Sequence, residues 1–505
     1  MKLNKNHGLS LLAFVFVFSY FFIISDVALA ATYYVDWTAG SDSNSGRSTG
    51  SPWKTLGKVS GFSLNAGDQV LLKRGEVWRE TLTVTRNGTS ANNIRFGAYG
   101  SGANPLILGS NLISSWTQHP ENANWWYQAV TPEPEQVFFN RTRGTRVFDG
   151  ADLNAEGKWY WEGGYLVVYA GQNPTLVWTT PGVEASVRDR AIYINGADYI
   201  KVSQIDLAHG NGDGNLLVHN GSHHVTVEDL NNFSGAQSGF MITGDQVTLK
   251  NVKSYLNGTS QLHHGVYFGA SSGYAADDWL VEKSHFYDNA GAGIHAFLAG
   301  SGIARYNFTH DNAQWGIISS NMKLSSNVQI YYNIAARNGS AGIEVESTTY
   351  FNNIKVYNNT VFGSVVGYYG SGYGINLENN SLGTVNVYNN VIAKNSAADM
   401  RIVGATTPYS IKNDQWWRTD GAVTLDLNGT TFTVDQLEDA LAISNPDNHV
   451  VGDSAFADEA NDNFHLTSSS AGIDEGMNVS LTTDSANNTV PFGSAPDIGA
   501  YEFGY

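Results

Sequence analysis

A repeat constrains this chain more than any other feature. Five pentapeptides share one phrase: GVYFG (Gly265 to Gly269), GIHAF (Gly293 to Phe297), GIISS (Gly316 to Ser320), GIEVE (Gly342 to Glu346) and GINLE (Gly374 to Glu378). Gly239, in GFMIT, opens the same phrase one unit earlier, so the glycines recur at steps of 23 to 32 residues. A period in this range is the mark of a solenoid or propeller. Each phrase alternates apolar and polar residues as a strand does, so Ile294 and Ala296 point one way and His295 and Phe297 the other. A second phrase recurs within each unit: VTLKNV, ARYNF, QIYYNI, KVYNNT and NVYNNV. It places Asn251, Asn307, Asn333, Asn359 and Asn390 at equivalent bends, with Ser284 filling the remaining unit. Asn tolerates the left-handed conformation and bonds neighbouring backbone, which suits a tight bend repeated in every coil. Leucine-rich repeats would need regular Leu and a helix, and propeller blades would need longer units. The reading is an all-β fold, a right-handed single-stranded parallel β-helix with an N-terminal cap and a small β-rich insertion.

Five segments follow. Residues 1–30 read as a secretory signal peptide: Lys2 and Lys5, an apolar run from Leu9 to Ile24, and the small-x-small site Ala28-Leu29-Ala30. The expected location is therefore secreted, extracellular or periplasmic, with no membrane association after cleavage. Residues 31–110 are expected to form the cap and first coils, with a short helix beginning at Ser51-Pro52. Residues 111–185 break the period and are rich in Trp, including Trp116, Trp125, Trp126, Trp159, Trp161 and Trp178. They read as a β insertion that either packs its own aromatic core or walls a groove; LVVYAG (Leu166 to Gly171) and TLVWTT (Thr175 to Thr180) look strand-like. Residues 186–415 are the repeat core. Residues 416–505 form a C-terminal cap and tail, with a short helix expected over Thr433 to Leu441.

Without Lys2, Lys5 and Asp26 the chain keeps 26 basic and 45 acidic residues, a net charge of 26 − 45 = −19. That charge argues against nucleic acid and anionic membranes as partners and mildly disfavours polyanionic glycans. The absence of cysteine excludes disulfides and thiolate metal sites. Oligomeric state is not encoded in any feature of the sequence.

The opening YYVD...GSDSNSG...SPWKTL...GDQVLLKRG, the Gly- and Asn-led coils and the ending DIGAYE (Asp497 to Glu502) resemble secreted right-handed β-helix proteins of the pectate-lyase-like superfamily. With RFGAYGSGANPLILGS, the opening looks most like bacterial β-helix glycosidases. The resemblance implies the fold and a polysaccharide partner. It carries no catalytic residue, because fold analogy does not determine chemistry.

The site must come from side chains that point out of the Gly-led strands, which stack at about 4.8 Å per coil. The first outward positions are Met241, Tyr267, His295, Ile318, Glu344 and Asn376, extended to Tyr193, Leu217 and Arg401. The second include Phe297, Ser320, Glu346 and Glu378, and the residues before each Gly add His264, Trp315 and Tyr373. Glu344, Glu346 and Glu378 form the catalytic candidate, with His295 and His264 further up the face. Tyr267, Trp315, Asn376, Arg401 and Tyr373 are candidate substrate-binding residues. Clustered carboxylates raise one another's pKa, which suits a general acid. Glu346 and Glu378 on adjacent coils would lie about 5 Å apart, near the retaining separation, and Glu344 and Glu378 about 8 Å apart, in the inverting range. An acidic solvated stripe or cation site is the bland alternative. His285, His310, Asp311, Asp277 and Asp278 read as turn chemistry. No motif for a metal cage is present.

Three functions remain open at this point. The first is a glycoside hydrolase with paired carboxylates, which requires no cofactor. The second is a lyase or uronate epimerase using His264, His295 and Tyr267, with Arg401 or a Ca2+ ion neutralising the uronate. β-Helix lyases set a Lys or Arg base beside calcium-bound acids, and here Arg401 and Arg337 are the nearest basic candidates. The third is a glycan-binding surface protein without catalysis.

Overall fold

The structure is a computed structural model that describes residues 30–504, apart from 272–273, 321–326, 348–352, 371, 380–383, 405–408, 418–424, 434–435 and 437–448. The signal segment before residue 30 and most of the helix expected over 433–441 lie outside the described residues. Among the described residues no helix is long and apolar enough to cross a membrane.

The coils close as a parallel β-helix. One sheet, here called the front sheet, runs from Leu82–Val84 through Ile294–Phe297, Ile317–Ser320, Ala341–Ser347 and Tyr373–Asn379 to Leu425–Leu427, all parallel. The hairpin strand Thr430–Phe432 ends it antiparallel. The other two faces join across their bends into one further sheet. Inward residues such as Val266, Phe268, Ile294, Ile343, Val345, Ile375 and Leu377 are fully buried and form one continuous core. Alternation therefore does here what it does in any half-buried strand: one residue set builds the core and its complement forms the surface.

The glycines recur for a steric reason. A Cβ added at Gly265 would meet the Gly293 carbonyl oxygen at 2.6 Å, one at Gly293 would meet that of Gly316 at 2.8 Å, and one at Gly316 would meet that of Gly342 at 2.5 Å. Each Gly admits the backbone of the next coil at close range.

The bends are held by two internal amide ladders. Asn307, Asn333 and Asn359 each donate Nδ2–H to the side-chain oxygen of the next member, ending at Asn390 and then Asp414. Asn251 is not a member. It is the left-handed residue at φ 50°, and Val252 occupies the ladder position, its N–H donating to Ser284 Oγ. The sequence register was one residue off because Asn suits both places in the bend. A second ladder links Asn257, Asn289, Asn312 and Asn338 at the other bend. Asp414 is fully buried at the end of the first ladder, and burial pushes its carboxyl up to about 7.

The first helix is Leu56–Ser60, capped by Thr55, whose hydroxyl accepts from the Lys58 N–H. It starts later than Pro52 because Trp53 bridges Val35 and buries its ring against Tyr33. The insertion enters and leaves through a neck in which Ser110–Ile113 pairs antiparallel with Val183–Ser186. Its five-stranded sheet buries Trp159, Leu166 and Val168, with Trp126, Trp161 and Trp178 packed beside them. Pro174–Val177 is a helical turn capped by Asn173, not the strand expected over 175–180, because Pro174 pre-sets the first helical position. Arg143 clamps the insertion to the coils by donating to the carbonyls of Gly235, Leu256 and Gly258. The tail packs Phe464, Ile498 and Ala500 against Ile334, Phe362 and Val391.

Candidate active site

The front sheet places the outward side chains in one column. Its register runs Met241–Tyr267–His295–Ile318–Glu344–Asn376–Arg401–Asp426. The neighbouring column runs Phe297–Ser320–Glu346–Glu378–Val403. Two polar clusters result.

The upper cluster is a closed chain of hydrogen bonds. The Ala292 N–H donates to His264 Nδ1 at 2.9 Å, so that nitrogen is an acceptor and His264 carries its proton on Nε2. His264 Nε2 then donates to His295 Nδ1 at 3.0 Å, and His295 Nε2 donates to Ser320 Oγ at 2.9 Å. Both rings are neutral. Burial holds His264 well below the usual histidine range and His295 down at about 3. Tyr267 stacks on His264 and meets His295 edge-on, and burial pushes its phenol up to about 12. These residues line a pocket of about 370 Å³ with Met241, Leu262 and Phe297.

The lower cluster is charged. Glu344 is only 8% exposed. Trp315 Nε1 and Asn376 Nδ2 both donate to its Oε2, at 2.7 and 2.8 Å. Burial nevertheless pushes its carboxyl up to about 7, opposed by these two bonds and reinforced by the charges of Glu378 and Glu346. Both donors sit on Oε2, which leaves Oε1 as the oxygen to carry the proton when the carboxyl is protonated. Glu346 is half-buried, and burial, then the Glu378 charge, raises its pKa. Glu378 is ion-paired with Arg401. Arg401 also donates to Asn376 Oδ1 at 3.2 Å, reaches Asp426 at 3.8 Å and lies over the Tyr373 ring.

Arg401, a candidate for meeting substrate, is thus ion-paired with Glu378 and bonded to Asn376. Trp315, a candidate for stacking on a sugar, has one face against Tyr369, whose ring is parallel at 5.5 Å, and its indole N–H serves Glu344. Tyr369 and its neighbour Tyr368 were missed in the sequence. They are 51% and 71% exposed on the loop that precedes Tyr373, and their N–H groups donate to the buried Gln314 Oε1. The signal was the 32-residue step from Gly342 to Gly374, long enough to hold an extra loop.

The turn histidines sit elsewhere. His285 and His310 are on strands, His285–Tyr287 and Phe308–His310, rather than in turns, and they bond each other at 2.6 Å. Asp311 pairs with His310 and Arg337, and Asp277 accepts from the Ser301 N–H. Among the described residues, no group of three or more His, Cys, Asp or Glu could hold a metal ion.

Residues 190–372 match the family described as right handed beta helix region. No curated protein matches the sequence. Among solved structures, the chain is similar to XylC in its complex with xylose, at 14% identity and a TM-score of 0.60, covering 94% of this chain and 98% of that one. It is similar also to pectate lyase Pel9A, at 16% identity and a TM-score of 0.51, covering 94% and 96%. At such identities the likeness speaks for the fold: this chain is a right-handed parallel β-helix from its first coils to its last.

Proposed function

We propose that the protein is a secreted enzyme that hydrolyses a neutral or weakly acidic polysaccharide along the front sheet. One observation carries this reading: Glu344 is buried, held on Oε2 by Trp315 and Asn376, and flanked by two further carboxylates. A carboxylic acid with its pKa near 7 can hold a proton at neutral pH and deliver it from Oε1 to a leaving glycosidic oxygen. The second carboxylate is assigned to Glu346, as nucleophile or as base toward water, because Glu378 is committed to Arg401. Tyr368 and Tyr369 offer ring surface beside the acid for an adjoining sugar unit. The XylC and Pel9A structures are consistent with a polysaccharide substrate.

A lyase would need a cation to neutralise a uronate carboxylate. Arg401 is occupied in that respect, which favours hydrolysis. Incubation with a glycan panel is expected to release reducing ends without ultraviolet absorbance from an unsaturated uronate. An absorbing product would overturn hydrolysis in favour of elimination through the His264, His295 and Tyr267 cluster. The reading requires no cofactor, so EDTA is expected to leave the rate unchanged; a loss restored by Ca2+ would also point to the lyase.

A further inference from the structure

The sheet of the insertion is aromatic on both faces. Trp159, Trp161, Leu166 and Val168 fill its inner side. The alternation of β residues then puts Tyr160, Tyr165 and Val167 on the opposite side, where a solvated face ordinarily carries polar residues. Tyr127, on the strand Trp125–Ala129, joins them, since Val167 pairs with Tyr127 on one side and with Tyr160 on the other. A Val between two Tyr residues leaves a notch. Val167 is its floor at 5% exposed, Tyr127 and Tyr160 are its flanks, and Tyr165, 47% exposed, stands edge-on to Tyr127 at 5.7 Å. His119, Pro120 and Glu162 complete the lining of a cavity of about 310 Å³.

We propose that this notch is a second glycan-binding site, distinct from the Glu344 cluster of the front sheet, that takes a neutral pyranose. The volume lies at the small end of ligand pockets and suits one or two sugar rings. Phenol rings offer an apolar body with a polar tip, which matches a pyranose with C–H groups on its faces and hydroxyls on its rim. The Glu162 carboxylate and the net charge of the chain, −18, disfavour an anionic sugar. The Arg143 clamp fixes the insertion to the coil bends at Gly235 and Gly258, so a polymer held in the notch is held to the body that carries the Glu344 cluster.

The test is depletion of the full-length protein by insoluble xylan, mannan and cellulose, with a polygalacturonate gel as the anionic comparison. The wild type is expected to bind at least one neutral polymer. Tyr127→Ala combined with Tyr165→Ala is expected to weaken that binding about tenfold or more, since it removes two of the rings that line the notch. Tyr165→Phe should keep it, and hydrolysis of a soluble oligosaccharide should stay within about twofold throughout. Tyr165 is largely exposed, so Tyr165→Ala alone probes the site if the deeper substitution disturbs the insertion. Unchanged binding in the Tyr165→Ala protein, no binding to any neutral polymer, or binding to polygalacturonate alone would overturn the proposal. The loss of depletion in the variants reads the notch and the glycan panel reads the Glu344 cluster, so either can fail without the other.

Discussion

The two polar clusters of the front sheet share a scaffold and differ in charge. Around His264 and His295 each ring nitrogen has a partner, and the chain runs from the Ala292 N–H to Ser320 Oγ through neutral rings. Around Glu344 three carboxylates face one guanidinium, and the buried one cannot ionise at its ordinary pH. A satisfied neutral network lowers the energy of the fold, whereas an unsatisfied charge leaves a group ready to exchange a proton. The lesson is that burial of polar residues does not mark a site by itself. A mismatch between the charges present and the partners supplied does.

Substitutions can break that contrast. The largest effect is expected at Glu344. Glu344→Gln keeps an oxygen for Trp315 and Asn376 but has no proton to give, so the rate should fall by roughly 10²–10⁴. In the wild type, activity should decline as pH rises through about 7, where the acid loses its proton, and this limb should vanish in the variant. A pH–rate profile of both proteins checks it; an unchanged alkaline limb would remove Glu344 from the acid role.

His295→Ala comes next, and its cost should appear in stability instead. It leaves His264 Nε2 and Ser320 Oγ without their partner in a buried site, a loss of roughly 1–3 kcal/mol. Chemical denaturation should show that loss while the rate stays within a few-fold. A rate loss as large as that of Glu344→Gln would erase the distinction between the clusters.

Trp315→Phe is subtler. It removes one donor to the ionised form of Glu344, so the carboxyl pKa should rise by about one unit and the alkaline limb should shift upward. A downward shift would mean that the ring, rather than its N–H, controls the acid.

The same carboxyl also enters the pH dependence of stability. A carboxyl whose folded pKa is about 7 against an ordinary 4.5 stabilises the fold below pH 4.5 and loses that contribution as pH rises to 7. Glu344→Gln should flatten the corresponding part of the stability curve between those values. An identical slope in both proteins would show that Glu344 is not held protonated.

Much of this site was legible before the structure. Glu344, Glu346 and Glu378 could be placed on one face because strand period and coil repeat are both visible in the GIEVE and GINLE phrases. The partners were not legible. Trp315 was read as a sugar platform because its position precedes Gly316; that its N–H meets Glu344, 29 residues later, depends on side-chain direction across coils. The second amide ladder was not legible because DNAGAG and DNAQWG, which follow His285 and His310, read as ordinary turns, although Asn289 and Asn312 stand at its rungs. Asn251 was misplaced by one residue because two adjacent bend positions accept the same side chain.

The sequence by itself determined the coil. Period-2 alternation selects which residues face inward, and the recurring Gly and Asn mark where backbones approach and bend; both are local properties repeated along the chain. The tertiary structure alone decided which outward groups are charged or neutral. Protonation depends on burial and on partners drawn from neighbouring coils. Glu344 and His295 occupy equivalent positions on one sheet, yet burial raises the pKa of the first and lowers that of the second, which sits in a chain of neutral rings.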